Sequence, residues 1–220
     1  ASDVYKRQGL PHALLDAARL YGLTHFKIKI CGNLEVDVPR LRDVAAVISE
    51  ASPGFRYTLD GNEQYRNIET FRTHWETYQA DPDLAILFEN NRLLFVEQPL
   101  HRDVALEEGV KDELAAWVGA PPMIIDESDG ELSCLRRAIA LGYRGTSHKN
   151  CKGIVKGIAN AATLAPLLSF LPVCIVISLA LFWVHVFFLP PSSFPSSPTL
   201  PLSPHVSPPQ ASPFSARGVT

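Results

Sequence analysis

Apolar residues recur along the first three quarters of the chain in two alternating patterns. Residues 10–21 space Leu14, Leu15, Ala18 and Leu20 at helical intervals, with Gly22 as a stop. Residues 25–30 then alternate, with Phe26, Ile28 and Ile30 on one face and Lys27 and Lys29 on the other, as in a strand that buries one face. Residues 37–50 return to the helical interval through Val38, Leu41, Val44, Ala45 and Ile48, and Ser52-Pro53-Gly54 breaks it before a strand over 56–59. The same alternation predicts helices over 67–79 and 83–90 before a strand at 93–96, a helix over 103–118 before a strand at 122–125, and a helix over 131–141 before a strand at 144–147. Strands that alternate with helices at this spacing predict parallel βα units. The fold class read from the pattern is α/β, a partial (β/α) TIM-type barrel of about five βα units, where a closed barrel needs eight strands.

A sharp change follows. Past Lys156 the chain contains no Asp, Glu or Lys, and its only charged side chain is Arg217. Residues 167–189 are nearly all apolar, long enough to cross a bilayer as a helix despite Pro172 and His185. From residue 190 Pro and Ser dominate, a composition that buries no core and is expected to be disordered. At the other end, residues 1–9 carry no apolar period and no secretory core, and are expected to be disordered or foreign to the fold. The expected organisation is therefore a leader (1–9), a barrel segment (10–163), an apolar segment (164–189) and a Pro/Ser-rich tail (190–220). The apolar segment has two readings, a transmembrane helix or translated non-homologous sequence such as an intron. Location follows the same fork: cytoplasmic, or single-pass membrane through 167–189.

Composition narrows the partners. A formal net charge of -3 over 220 residues gives no basic excess to recruit nucleic acid, and a small anionic substrate needs a local positive site. The four cysteines form no C-x-x-C pair, which favours a reducing compartment and argues against structural zinc. No G-x-S-x-G, P-loop or G-x-G-x-x-G is present, so a serine elbow and nucleotide binding have no support.

The candidate chemistry lies where apolar runs end in an acid: Asp60, Glu97 and Asp126. At the carboxyl end of a barrel strand a side chain faces the active-site mouth. Singly, each acid reads equally as local structure. Asp60 before Gly61-Asn62 suits a turn, Asp126 before Glu127-Ser128 suits a helix cap, and Glu97 before Pro99 suits solvent. Jointly they offer the oxygen ligands that a hard cation takes, and a cation would relieve their mutual repulsion. Lys27 and Lys29 share one strand face, either as charge that protects an edge or as a functional pair in which one ammonium lowers the pKa of the other.

Taken in order, Lys27-Ile28-Lys29, Asp60-Gly61-Asn62, Glu97-Gln98-Pro99, Asp126-Glu127-Ser128 and the later Lys149 resemble the enolase superfamily, in its mandelate racemase and muconate-lactonizing branch. The resemblance covers residues 10–162. It implies that the five strands are the second to sixth of the barrel, with no counterpart here of the first strand, the last two strands or the amino-terminal capping domain. It further implies Mg²⁺ held by Asp60, Glu97 and Asp126, with Lys29 as the base and Lys27 tuning its pKa or touching the substrate. Lys149 on the opposite face would be the second catalytic lysine, with Lys152 as the alternative. Asn62, Gln98, Glu127 and Ser128 would orient the ligands, ordinary turn chemistry being the competing account. The implied reaction is abstraction of the proton α to a carboxylate through an enediolate, leading to racemisation, epimerisation, elimination or cycloisomerisation of a small carboxylate substrate, in a family that is often homo-oligomeric. The chain itself is expected to be an incomplete and inactive part of such an enzyme. The rival reading is a membrane-anchored or non-functional barrel fragment.

Overall fold

The structure is a computed structural model and describes residues 13–165 together with 176–177. Four parallel strands pair in chain order: β1 (His25–Lys29), β2 (Arg56–Asp60), β3 (Leu93–Glu97) and β4 (Met123–Ile124). A parallel bridge between Ile125 and Thr146 carries the sheet on to β5 (Ser147–His148), which pairs with β6 (Val176–Ile177). Helices fill the connections. α1 (Leu14–Tyr21) precedes β1, and α2 (Leu34–Ala51) links β1 to β2. α3 (Ile68–Ala80) and α4 (Ala85–Phe88) precede β3, α5 (Arg102–Ala105) and α6 (Gly109–Ala116) precede β4, α7 (Cys134–Leu141) precedes β5, and α8 (Ile154–Leu164) follows it. This parallel α/β order is that of a partial TIM-type barrel.

Local chemistry sets the helix ends. The Asn33 side chain accepts from the Glu35 N–H at 3.0 Å and starts α2, and the Asn67 side chain accepts from the Thr70 N–H at 2.8 Å and starts α3. Gly22 and Gly142 stop α1 and α7 at φ of 60° and 110°, a conformation that a Cβ disfavours.

The pleat sorts side chains into two layers. Phe26, Ile28, Tyr57, Leu59, Val96, Met123 and Ile125 join Leu41, Ile48, Phe71 and Trp75 in one core between sheet and helices. Each large side chain buried there contributes about 1.5–3 kcal/mol. Because strand side chains alternate, Lys27, Lys29, Thr58, Asp60, Glu97 and Asp126 fall on the other layer, the barrel interior.

Several expected elements differ in detail. The helix expected over 103–118 is two, α5 and α6, interrupted at Leu106 to Glu108, where a Gly109 start replaces a continuous apolar stripe. The helix expected over 83–90 is a 3₁₀ turn, Pro82–Leu84, followed by the single turn of α4. In the stretch expected to be one apolar helix, Val176 and Ile177 are instead extended and paired with Ser147 and His148. The remainder of 166–220, and with it the expected membrane span and Pro/Ser tail, lies outside the described residues, as does the leader 1–9. Among the described residues no helix is long and apolar enough to cross a membrane.

Candidate active site

Every acid singled out in the sequence sits at or just past the carboxyl end of a strand. Asp60 ends β2 and Glu97 ends β3, and the two are register partners, so their side chains leave neighbouring strands at the same height. Glu97 is also in register with Ile124, which places Asp126 two residues further along the next chain segment, on the same side of the sheet. All three are buried.

Two lysine-centred groups result. In the first, Lys27 Nζ lies 2.6 Å from Glu97 Oε2 and 2.9 Å from Asp60 Oδ2. Lys29, the register partner of Asp60, donates to Asn62 Oδ1 at 2.7 Å and lies 3.5 Å from Asp60 Oδ2. Asn62, held at φ 39°, also donates its backbone N–H to Asp60 Oδ1 at 3.0 Å. In the second group, Lys149 and Lys152 each pair with one carboxylate oxygen of Asp126. Lys152 donates further to the Asp126 carbonyl at 2.6 Å and the Ser147 carbonyl at 3.1 Å.

Gln98 joins the groups. It is buried at φ 36°, and its carboxamide is fully used: Oε1 accepts from the backbone N–H of Asp126 at 2.7 Å and of Ser128 at 3.3 Å, while Nε2 donates to Ser128 Oγ and the Leu100 carbonyl, both at 2.7 Å. A side chain in that state brackets the end of β3 to the loop after β4. Glu127 is half-buried and its Oε2 is without a partner.

The electrostatics follow from burial and pairing. Burial raises the Glu97 pKa, and the Asp60 and Asp126 carboxylates add to the rise against the opposing pull of Lys27. Burial alone would lower Lys27, but the Glu97 and Asp60 carboxylates outweigh it and hold the ammonium above the ordinary lysine value. Burial likewise opposes the ionised form of Asp126, yet Lys149 and Lys152 bring its pKa below the usual carboxylate range. Asp126 in return raises Lys149 against the effect of burial.

The three acids are not drawn into a single coordination shell. Among the described residues no three His, Cys, Asp or Glu side chains are placed to hold a metal ion together. The reason is visible in the pairing: each carboxylate has turned to a lysine, which relieves repulsion by another route. The donor set nevertheless suits a hard cation. Three buried carboxylates face one interior, and Glu97 Oε1 is buried with no hydrogen-bond partner.

His148, adjacent to Lys149, points away from this interior. Its ring packs on Gly157 of α8, on the helix side of the sheet. The sequence reading also passed over Asp37. Its buried carboxylate accepts from the backbone N–H groups of Cys31 and Gly32, each at 2.9 Å, and from Tyr78 Oη at 3.3 Å, and so fixes the loop that follows Lys29. Three buried polar groups, Asp129, Lys156 and Asn160, tie α8 to the loop after β4.

No family model and no curated protein matches the sequence. Solved structures do match the fold. A mandelate racemase/muconate lactonizing protein from Herpetosiphon aurantiacus aligns over 69% of this chain and 40% of its own, with 23% identity and a TM-score of 0.52. A muconate cycloisomerase variant aligns over 70% of this chain and 39% of its own, with 21% identity and a TM-score of 0.50. The chain spans about 40% of the length of these structures. The likeness is one of fold: the described segment shares its parallel α/β architecture with part of these structures.

Proposed function

We propose that this chain is part of a Mg²⁺-dependent enzyme of the mandelate racemase/muconate lactonizing type, which removes the proton α to a carboxylate. The observation that carries the reading is the approach of lysines from two sides, Lys27 and Lys29 from β1 and Lys149 and Lys152 from the segment after β5, to buried carboxylates at the ends of β2, β3 and β4. The architecture that two solved proteins of this type share with the chain supports it.

Lys29 is assigned as the base. Its Nζ takes the α-proton, and the electron pair of the C–H bond passes into the carbon–carboxyl bond to give an enediolate. Asp60, Glu97 and Asp126 would hold the ion, which supplies positive charge to neutralise the enediolate oxygens. Lys149, kept protonated beside Asp126, returns a proton to the opposite face of the same carbon and inverts it. Asn62 orients Lys29, and Gln98 and Ser128 fix the backbone of Asp126. The substrate is a small carboxylate.

The test is loss of the α-proton signal in D₂O, followed by NMR with a panel of α-hydroxy acids, α-amino acids and dipeptides, with and without Mg²⁺. Exchange that needs Mg²⁺ and falls by at least about 100-fold in Lys29→Ala supports the assignment. Exchange of equal rate in wild type and Lys29→Ala removes it.

A further inference from the structure

The ammonium of Lys27 occupies the space between two buried carboxylates, 2.9 Å from Asp60 Oδ2 and 2.6 Å from Glu97 Oε2. To get there the side chain leaves β1, where Lys27 is in register with Thr58, and crosses the whole of β2 to reach an acid on β3. Asp60 and Glu97 are register partners on adjacent parallel strands, so their backbones hold the two negative charges side by side, out of water. Such a pair needs a positive charge between its members to stay ionised. Lys27 brings one positive charge to two negative ones, and Glu97 Oε1 is still without a partner. The Lys27 side chain is 22% exposed and so reaches solvent, whereas the two carboxylates do not.

We propose that Lys27 is a tethered counter-ion: it holds Asp60 and Glu97 together when no divalent cation is bound, and is exchanged for the cation when one binds. The inference rests on the metal reading given above and adds a regulation of that site. An ammonium and a divalent ion cannot share the same oxygens at contact distance, because like charges repel. Binding of the ion therefore carries the cost of breaking two ion pairs, which weakens its affinity and keeps the empty site folded. The same exchange frees the Lys27 ammonium to face an anionic substrate in the loaded site alone. Substrate capture and ion loading become linked through one side chain.

The experiment uses the full chain, with MgCl₂ titrated by calorimetry into wild type, Lys27→Met and Lys27→Gln. Thermal melts are recorded with and without Mg²⁺, and acylation of Lys27 in the wild type is followed by peptide mass spectrometry. The expected result is tighter Mg²⁺ binding in both variants, by about tenfold or more. Their melting temperatures fall below wild type without Mg²⁺ and match it at saturation, and Lys27 acylation speeds up when Mg²⁺ is added. Variants that fold only with Mg²⁺ support the exchange equally. Wild type that binds Mg²⁺ while the variants bind no more tightly, or Lys27 labelling that Mg²⁺ leaves unchanged, overturns the exchange and leaves the metal reading standing. Variants that fail to fold even with Mg²⁺ also overturn it, since the lysine would then be required in the loaded state. Absence of Mg²⁺ binding in all three proteins overturns both.

Discussion

Gly157 of α8 lies so close against His148 of β5 that a Cβ at that position would stand 2.7 Å from both ring nitrogens. The contact seats the helix on the strand that leads into Lys149 and Lys152. An alanine there must push either the ring or the helix aside. Gly157→Ala is expected to destabilise the chain by about 1–3 kcal/mol, as overpacking does. A second change, His148→Ala, should recover part of the loss. Denaturant midpoints of the two single variants and the double variant check both expectations.

Gly61 presents a stricter case. A Cβ on it would meet the Pro99 Cα at 2.6 Å, and backbone cannot swing away as a ring can. The clash lies between the residue after Asp60 and the second residue after Glu97. Gly61→Ala is expected to cost at least about 1–3 kcal/mol and to weaken Mg²⁺ binding as well, because the two acids would be moved apart. Calorimetry beside a denaturant curve separates those effects.

Lys149 and Lys152 share Asp126, but their surroundings differ. The Lys152 side chain is 16% exposed and also serves two carbonyls, whereas that of Lys149 is 44% exposed and serves the carboxylate. Lys152→Met is expected to destabilise by about 3 kcal/mol, the loss that follows removal of one partner from a largely buried pair. Lys149→Met should cost no more than about 1 kcal/mol, as for a solvent-reached pair. If α-proton exchange is observed, Lys149→Met should be the variant that abolishes racemisation. Chemical denaturation and the NMR exchange assay give the two readouts.

The buried pair of Lys156 and Asp129, 3.4 Å apart, adjoins these lysines, since the Asp129 N–H and the Lys152 ammonium donate to the same Asp126 carbonyl. Asp129→Ala leaves the buried ammonium with the residue-129 carbonyl but no counter-charge, beside Asn160, and should cost about 3 kcal/mol. Adding Lys156→Met should restore most of it. A double variant no more stable than Asp129→Ala would show that the cost comes from packing rather than charge.

His74 gives a pH signature. Its ring lies against Tyr65, whose hydroxyl is 3.2 Å from Nδ1, and burial lowers its pKa, with the Asp37 carboxylate opposing in part. A histidine whose folded pKa lies below its unfolded value, about 6.5, contributes stability that is present above that pH. The contribution is lost as pH falls through the folded pKa. Stability is therefore expected to decline between pH 7.5 and 5.5, and less so in His74→Gln, as read from urea midpoints at the two pH values.

β1 to β4 were legible in the sequence because each apolar run ends in an acid or alternates with lysine, whereas β5, expected over 144–147, forms at Ser147–His148 and β6 was not expected at all. Helix borders were less so. α2 begins at Leu34 because Asn33 caps it, a signal that lies outside any apolar period. The break between α5 and α6 depends on a glycine within a stretch whose apolar spacing still fits one helix. Within the site, adjacency in sequence could not separate Lys149 from Lys152, since both reach Asp126 and differ only in what else they reach. Gln98 looked like turn chemistry because three of its four side-chain contacts come from a loop about thirty residues away. Asp37 looked like the start of a helix, and only the folded loop shows it gathering the N–H groups behind the Lys27–Lys29 strand.

The register between Asp60 and Glu97 makes the site's charge a property of how the strands are threaded. A deletion of one residue within β2 ahead of Asp60 would send Asp60 to the helix layer and bring Gly61 to its place beside Glu97. The mutant chain could keep its composition, its net charge to within one unit and most of its hydrogen bonds, and still leave Glu97 facing a neutral residue where a second charge had stood. Errors of alignment, rather than losses of individual side chains, are the cheapest way for this architecture to fall silent.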